Sequence, residues 1–349
     1  MPNPYQSQPD RAFWSRSVAR PAPEDVDPVA AAGFRIGPHE RVVTAGSCFA
    51  QHISRAIQAR GFNYLVTEPG PQDRQYGVYP ARFGNLYTAR QFRQLFQRAF
   101  GLFQPHDTAW RRGEAWVDPF RPQVEPDGFP TAEALIADRD RHLAAVRDMF
   151  DQADVLVFTL GLTEGWVSTV DGAVFPLAPG VSGGPDDDGP YRPHNFTVAE
   201  IVDDLNALIA DARLLRPDLK VLLTVSPVPL VATITDRHVL TATTYSKSVL
   251  RVAAEMVAAA HEGVGYFPSY EIITGPHNGW RYLEPDLRSV RPEGVAQVMS
   301  IFARHYLDPD ALAAPAPLRP AVAPRPSADR AAEQAALADV ICDEETLDR

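Results

Sequence analysis

The stretch at residues 41–57 limits the possible folds of this chain more than any other part of the sequence. A β-branched run comes first and ends at the small residue Gly46. The residues that follow have the apolar spacing of one helical face, at Phe49, Ile53 and Ile57. The stretch therefore predicts a strand over about 41–45, a tight turn, and a helix over about 49–60.

Two potential nucleophiles, Ser47 and Cys48, occupy the predicted turn directly after Gly46. Glycine suits this position because a residue without Cβ tolerates a sharp change of direction. The turn places both side chains at the mouth of a sheet and beside a helix N-terminus, where negative charge is stabilised. These two residues could therefore include a nucleophile, or they could be present only because small side chains fit a crowded turn. This stretch alone leaves both interpretations open.

Four more apolar runs read as strands and alternate with helices along the chain. The predicted strands cover 62–67, 154–160, 220–225 and 264–267. The predicted helices cover 89–100, 131–151, a segment capped by Thr197, 244–261, and a segment from Pro292. Residues 101–130 are expected to form an insertion with little regular structure, and residues 171–195 are expected to form a loop. The alternation predicts an α/β fold, a three-layer sandwich with a five-stranded parallel sheet.

Composition divides the chain into three parts. Residues 1–40 are rich in proline and polar residues and are expected to form a surface extension. Residues 41–307 carry the alternating pattern and form the predicted domain. Residues 308–349 have the Ala/Pro-rich composition of a linker, with one possible short helix over 328–340.

Charge and cysteine content exclude several classes of protein. A net charge of −11 argues against a nucleic-acid partner, which usually requires a basic face. The two cysteines, Cys48 and Cys342, provide no disulfide framework and no zinc-ligand pattern. Residues 1–20 lack the apolar core of a signal peptide, and no run reaches the length of a membrane span. We therefore expect a cytoplasmic protein without cofactor or metal; the sequence leaves its oligomeric state open.

The motif Gly46-Ser47-Cys48-Phe49-Ala50 spells the name of the GSCFA family, which the chain resembles over about residues 40–305. That family resembles the SGNH/GDSL hydrolases, whose nucleophilic serine also follows the first strand. The resemblance implies a flavodoxin-like sandwich and an esterase or acyltransferase acting on an O-acyl ester, with a carbohydrate ester as the first expectation. Aligning the glycines of the two motifs makes Cys48 the nucleophile, whereas aligning the serines makes Ser47 the nucleophile.

The resemblance also implies donors for an oxyanion, the negatively charged oxygen formed when an ester carbonyl is attacked. Gly84 and Asn85 match the family segment after the second strand, although an ordinary turn would give the same residues. Gly161 and Thr163 stand where SGNH enzymes have Gly-x-Asn. The adjacent Glu164 is a candidate base or substrate contact, or simply an acid at the start of a helix.

The general base is where the chain departs from the SGNH pattern. SGNH enzymes carry Asp-x-x-His before the last helix, and this chain has Asp286 followed by Ser289 in place of the histidine. Arg288 offers a cation for a carboxylate or phosphate, or for a structural ion pair. His277, in the loop after the last predicted strand, is the first candidate to replace the missing base. Other histidines with the same potential role are His52, His194 and His238.

Lys247 is one of only two lysines and lies in a segment, 244–248, that resembles a recurrent family motif. A partly buried lysine can act as a base or an electrostatic stabiliser, and it can equally neutralise a carboxylate such as Glu164. The missing histidine supports a second interpretation, a binding module that keeps the fold without the chemistry. Nucleotide binding is disfavoured because neither Gly-x-Gly-x-x-Gly nor a P-loop is present.

Overall fold

A parallel sheet lies at the centre of the computed structural model, which describes residues 3–71, 74–185 and 189–313. Strands β1 (Val42–Gly46), β4 (Val155–Leu160), β8 (Lys220–Val225) and β9 (Val264–Phe267) form this sheet in that spatial order, and every neighbouring pair is parallel. In chain order the elements are β1 (Val42–Gly46), α1 (Ala50–Ala59), α2 (Ala89–Ala99), β2 (Trp110–Arg112), β3 (Ala115–Val117), α3 (Ala132–Gln152), β4 (Val155–Leu160), β5 (Glu164–Ser168), β6 (Val174–Phe175), β7 (Tyr191–Asn195), α4 (Val198–Leu215), β8 (Lys220–Val225), α5 (Val239–Ala260), β9 (Val264–Phe267), α6 (Ser269–Thr274), α7 (Pro292–Tyr306) and α8 (Pro309–Ala313).

Helices cover both faces of this sheet, as the sequence predicts. Successive side chains of a strand point to opposite faces, so each buried strand supplies two cores. Leu156 and Phe158 of β4 pack into the core formed with α2, α3, α4 and α5. Val155 and Val157 of the same strand pack into the core formed with α1, α6 and α7. The four strands are therefore predominantly apolar because both of their faces are buried.

The predicted strand at 62–67 is not confirmed, and the parallel sheet has four strands. Tyr64 forms a single parallel bridge with Val42, beyond β1. The Leu65 N–H still donates to the Val42 carbonyl, but the chain then turns away, and the N–H groups of Thr67 and Glu68 donate to the Pro80 carbonyl. The segment thus touches the edge of the sheet without extending it.

A second sheet lies where the sequence predicts loops. Strands β6 and β7 flank β5 in a three-stranded antiparallel sheet, and β2 pairs with β3 in a hairpin. Strand β7 has the sequence Tyr-Arg-Pro-His-Asn, which lacks the alternation of apolar and polar residues that would predict a strand. The loop predicted for 171–195 is therefore wrong where β6 and β7 form, whereas 101–130 has little regular structure beyond the β2–β3 hairpin.

The predicted helices agree with the structure except for the start of α5. This helix begins at Val239, so Thr244 lies inside it and does not open it. Thr197 caps α4 with Glu200 in a capping box, as predicted. None of the described helices is both long and apolar enough to cross a membrane. The predicted helix at 328–340 lies outside the described residues.

The segment before β1 is joined to the end of α7. The Ile36 N–H donates to the Tyr306 carbonyl at 2.7 Å, and the Asp308 N–H donates to the Ile36 carbonyl at 3.0 Å. Arg35 adds a hydrogen bond from its guanidinium to the Leu307 carbonyl at 2.7 Å. The division at residues 40 and 307 stays a prediction, since these contacts bind both flanking segments to the same surface.

Gly46 ends β1 and lies opposite Thr159 of β4 in the strand register. Its φ is +128°, and a Cβ at this position would lie 2.1 Å from the Thr159 carbonyl oxygen. No side chain fits that space without moving one strand away from the other. Glycine is therefore required at position 46 both because the Thr159 carbonyl leaves no room for a Cβ and because φ is positive.

Replacing Gly46 with alanine should lower the free energy of unfolding by at least about 3 kcal/mol, since left-handed strain of about 1–2 kcal/mol adds to the clash. Gly61→Ala is the matched control, because Gly61 has a φ of +77° with no atom within 4 Å of the added Cβ. Its expected cost is the strain alone, about 1–2 kcal/mol. Urea denaturation measures both values, and equal losses would contradict a requirement set by contact with β4.

Candidate active site

Small or polar residues follow three neighbouring strands of the parallel sheet, at the carboxyl ends of these strands. Ser47 and Cys48 follow β1, Gly161 follows β4, and Ser226 follows β8. A cavity of about 10 Å³ lies between these segments; its lining residues are Ser47, Cys48, Tyr87, Gly161, Leu162, Ser226 and Val228. The carboxyl end of a parallel sheet is where open α/β folds bind ligands, so this cavity is the candidate site.

The Ser47 side chain is buried and lines this small cavity. Its backbone N–H donates to the Thr159 carbonyl at 3.1 Å, which fixes the turn. The side chain is only 3% exposed, and its Oγ has no hydrogen-bond partner within the described part of the chain. A Cβ on Gly161 would lie 3.0 Å from the Ser47 Cβ, so glycine at 161 leaves room for this serine.

Cys48 lines the same cavity and is equally buried, at 3% exposure. It precedes the first turn of α1, where the Gln51 N–H donates to the Cys48 carbonyl at 3.1 Å. The positive end of the α1 dipole therefore lies beside both candidate nucleophiles. The strand, turn and helix predicted for this segment are confirmed.

The cavity is too small for a substrate in this conformation. A volume of about 10 Å³ is close to the minimum that holds one water molecule. Among the lining residues, Tyr87 is buried, whereas Leu162 and Val228 are half-buried. Because Ser47 and Cys48 are each only 3% exposed, a substrate carbonyl could reach them only after lining side chains move.

Gly84 and Asn85 lie beside this cavity and are coupled to it through Tyr79. The Tyr79 hydroxyl is 2.8 Å from Asn85 Oδ1 and 3.1 Å from the Ser47 carbonyl oxygen. Gly84 has a φ of +71° and, with Asn85, lines a second small cavity of about 10 Å³. The structure therefore brings this pair close to the backbone of the turn.

Lys247 is buried behind Gly161. Its Nζ donates to the Gly161 carbonyl at 2.7 Å, and the neighbouring Ser246 Oγ accepts the Thr163 N–H at 3.1 Å. The Thr163 hydroxyl is fully buried and has no hydrogen-bond partner in the described ranges. Helix α5 thus fixes the backbone on the Gly161 side of the cavity.

Glu164 begins β5 and does not start a helix. Its carboxylate accepts hydrogen bonds from Thr233 Oγ1 at 2.7 Å and from the Ile234 N–H at 3.0 Å. Both contacts come from the loop between β8 and α5. The carboxylate is therefore engaged in holding this loop.

Asp286 and Ser289 form a self-contained turn. The Asp286 carboxylate accepts the Ser289 hydroxyl at 2.6 Å and the N–H groups of Arg288 and Ser289 at 2.9 Å. Partial burial would raise the pKa of Asp286, but these hydrogen bonds outweigh it and lower that pKa. The three residues line a different and larger cleft, of about 870 Å³.

His277 is half-buried in a 3₁₀ turn, Pro276–Asn278, and is not among the residues that line either the Ser47 cavity or the larger cleft. Burial, together with the nearby Arg281, lowers its pKa. The other candidate histidines have structural contacts: His238 caps α5, His194 is 2.7 Å from Glu200, and His52 packs on Phe49. Since the Ser47 hydroxyl has no partner, no described histidine acts as its base in this conformation.

The sequence profile of the GSCFA family matches residues 41–302, a span that includes every candidate residue from Ser47 to Arg288. The chain belongs to the GSCFA family. Its structure is similar to that of a family 3 carbohydrate esterase from Clostridium thermocellum, with a TM-score of 0.33 and 11% identity over 77% of this chain and 95% of the esterase. None of the curated proteins compared with the chain matches it.

Several residues of this GSCFA site were missed at the level of sequence. Ser226 and Val228 follow a strand that the sequence predicts correctly, so the rule for carboxyl ends of strands would have found them. Tyr79, Tyr87 and Ser246 lie in segments without such a signal. Among the residues that the structure describes, no cluster of three or more His, Cys, Asp or Glu side chains could hold a metal ion.

A buried charged cluster anchors the GSCFA loop that carries Gly84 and Asn85. Glu68 Oε2 lies 2.7 Å from His142 Nδ1 and accepts the Arg82 N–H at 2.6 Å. His142 is fully buried, and burial together with the Arg121 charge lowers its pKa to about 4 although the bond to Glu68 opposes this. The imidazole is therefore neutral when the protein is folded at neutral pH.

The stability of the fold should fall as the pH drops from about 6.5 towards 4, because only the unfolded chain protonates His142 in that range. The expected loss from this residue between pH 7.5 and 5.5 is on the order of 1 kcal/mol. His142→Gln keeps a donor for Glu68 without a titrating ring, so its unfolding free energy should depend less on pH. The exposed His39→Gln is the control; an identical pH dependence in all three proteins would contradict this assignment.

Proposed function

We propose that this chain is an SGNH-like hydrolase or acyltransferase that acts on an O-acyl ester through Cys48 or Ser47. The observation that carries the proposal is the pair of buried nucleophilic side chains facing one cavity at the carboxyl end of β1. Membership of the GSCFA family, with its resemblance to SGNH enzymes, supports it.

In this reaction the nucleophile attacks the ester carbonyl and its own proton passes to a base. The tetrahedral intermediate carries an oxyanion, which collapses as the alcohol leaves with a proton and the acyl group stays on the enzyme. Water or a second alcohol then removes the acyl group. Asn85 on one side of the turn, and Gly161 with Thr163 on the other, are the proposed sources of oxyanion donors, each worth about 2.7–4 kcal/mol in the barrier.

Cys48 is the favoured nucleophile. A serine hydroxyl needs a general base, and the Ser47 hydroxyl has no hydrogen-bond partner among the described residues. A thiol ionises closer to neutral pH and is a better nucleophile without such a partner. The replacement of the SGNH histidine by Ser289 fits a thiol site better than a hydroxyl site.

The small cavity favours transfer of the acyl group over hydrolysis. A site with room for about one water admits little bulk solvent to an acyl-enzyme. An acceptor alcohol that displaces Leu162 and Val228 would then compete well with water. The family resemblance supports a carbohydrate as the alcohol component.

The nucleophile can be identified with p-nitrophenyl acetate as the acyl donor. We expect Cys48→Ala to abolish turnover and the acyl adduct seen by intact-protein mass spectrometry, because the favoured nucleophile is removed. Ser47→Ala should retain the adduct, and Cys342→Ala is the control for the second thiol. Loss of the adduct in Ser47→Ala alone would assign the serine, and unchanged turnover in every variant would overturn the proposal.

Lys247 is proposed as a positioning residue that holds Gly161 against Ser47. Lys247→Met should lower kcat about tenfold or more with little change in KM, because the oxyanion side of the cavity loses its anchor. The other lysine, Lys220, pairs with Glu40 at 2.7 Å, and Lys220→Met is the matched control. The shape of the pH–rate profile should survive the change; loss of one limb would instead make Lys247 the base.

A binding module without catalysis is the second candidate. Asp286 is engaged within its own turn, and the histidine that it would orient is replaced by Ser289. The large cleft next to this turn is an alternative ligand site. Absence of an acyl adduct, together with a ligand-induced shift in Tm, would favour this function.

A further inference from the structure

One extended segment, Ser226–Pro229, separates the small cavity from the large cleft. Ser226 and Val228 line the small cavity, whereas Pro227 and Pro229 line the cleft. Alternate residues of an extended chain face opposite sides, so the two spaces are back to back across one backbone. A ligand that crosses this segment occupies both.

The cleft has the size and the surface of a site for an apolar ligand. Its volume of about 870 Å³ is at the upper end of small-molecule pockets. Proline has no backbone N–H, so the wall formed by Pro227 and Pro229 provides no backbone donors. Most of the other lining residues are apolar: Leu230, Val231, Val239, Leu240, Tyr270, Trp280, Leu283 and Leu287.

Two lining residues, Trp280 and Leu287, are held in a strained conformation. Their φ angles are +66° and +56°, and among the described residues only Gln75 is a further non-glycine residue with positive φ. This conformation costs roughly 1–2 kcal/mol per residue for L-amino acids. Both side chains are nevertheless large and apolar, and they are 57% and 61% exposed.

Hydrogen-bonded turns hold both residues in this strained backbone conformation. The Trp280 N–H donates to Asn278 Oδ1 at 2.8 Å, while the Asn278 amide donates to the carbonyls of Ile272 and Ile273. Leu287 lies inside the turn closed by Asp286 and Ser289. Strained residues that the surrounding structure holds in place cluster at ligand sites. The turn that replaces Asp-x-x-His thus presents a leucine to the cleft.

We infer that the cleft binds the apolar acyl chain of the ester substrate, a chain longer than acetyl, with Trp280 and Leu287 as contact residues. The inference rests on the proposed function, which puts the ester carbonyl at Cys48. The chain passes Val228 and enters the cleft, where it covers the exposed faces of the two strained side chains. Burial of these faces supplies binding energy that an acetyl group cannot use.

Binding of butyrate, hexanoate and octanoate to the full-length wild-type protein tests this inference by calorimetry. Binding of these acids is measured without any enzymatic reaction. Because all three carry the same carboxylate, differences between their dissociation constants report the alkyl chain alone. The dissociation constant should fall by up to about fourfold for each added CH₂. Binding that does not depend on chain length would overturn the inference.

Glycine substitutions give variants that keep their fold. Trp280→Gly and Leu287→Gly relieve the left-handed strain, so Tm should not fall, while octanoate binding should weaken about fivefold or more. Leu214→Ala removes an exposed leucine of α4 outside the cleft and should leave binding unchanged. Octanoate binding by both glycine variants as tight as by the wild type would contradict the assignment.

The two proposals can fail separately. If octanoate binds as expected but Cys48→Ala and Ser47→Ala keep full ester turnover, the proposed function fails and the cleft remains an apolar-chain site. If the nucleophile variants lose turnover but octanoate does not bind, the acyl chemistry stands and the cleft inference is wrong.

Discussion

The close approach of β1 and β4 at Gly46 is the constraint on which the candidate site depends. Because Gly46 has no side chain, the backbone reaches the Thr159 carbonyl, and the Ser47 N–H can donate to the same oxygen. Gly161, two residues further on, then packs against the Ser47 side chain. Each glycine faces the neighbouring segment, so the sheet can close only around small residues at this edge.

The turn at 286–289 is closed by contacts within itself. Serine at 289 is short enough to bond back to Asp286 within the same turn. The Asp286 carboxylate therefore fixes a loop conformation, and the same turn shapes the neighbouring cleft. Under the proposed function, the chemistry depends on thiol reactivity because position 289 carries no histidine.

Much of the fold could be predicted because both faces of the central strands are buried. The strands that became β4, β8 and β9 are predominantly apolar, and α7 starts at the predicted proline. The second sheet could not be predicted, since its strands are short and β7 has no apolar alternation. In the site, Ser47 and Cys48 follow from their place after a strand. The contact of Lys247 with Gly161 joins residues 86 positions apart, and no local pattern encodes it.

The small cavity around Cys48 has a consequence for the reactivity of the thiol. Oxidants and electrophiles of the size of glutathione disulfide cannot enter a space of about 10 Å³. Reaction of a buried cysteine with such compounds depends on access as well as on its acidity. The thiol is therefore protected in this conformation. Under the proposed function, a movement that admits a substrate would also expose the thiol to these compounds.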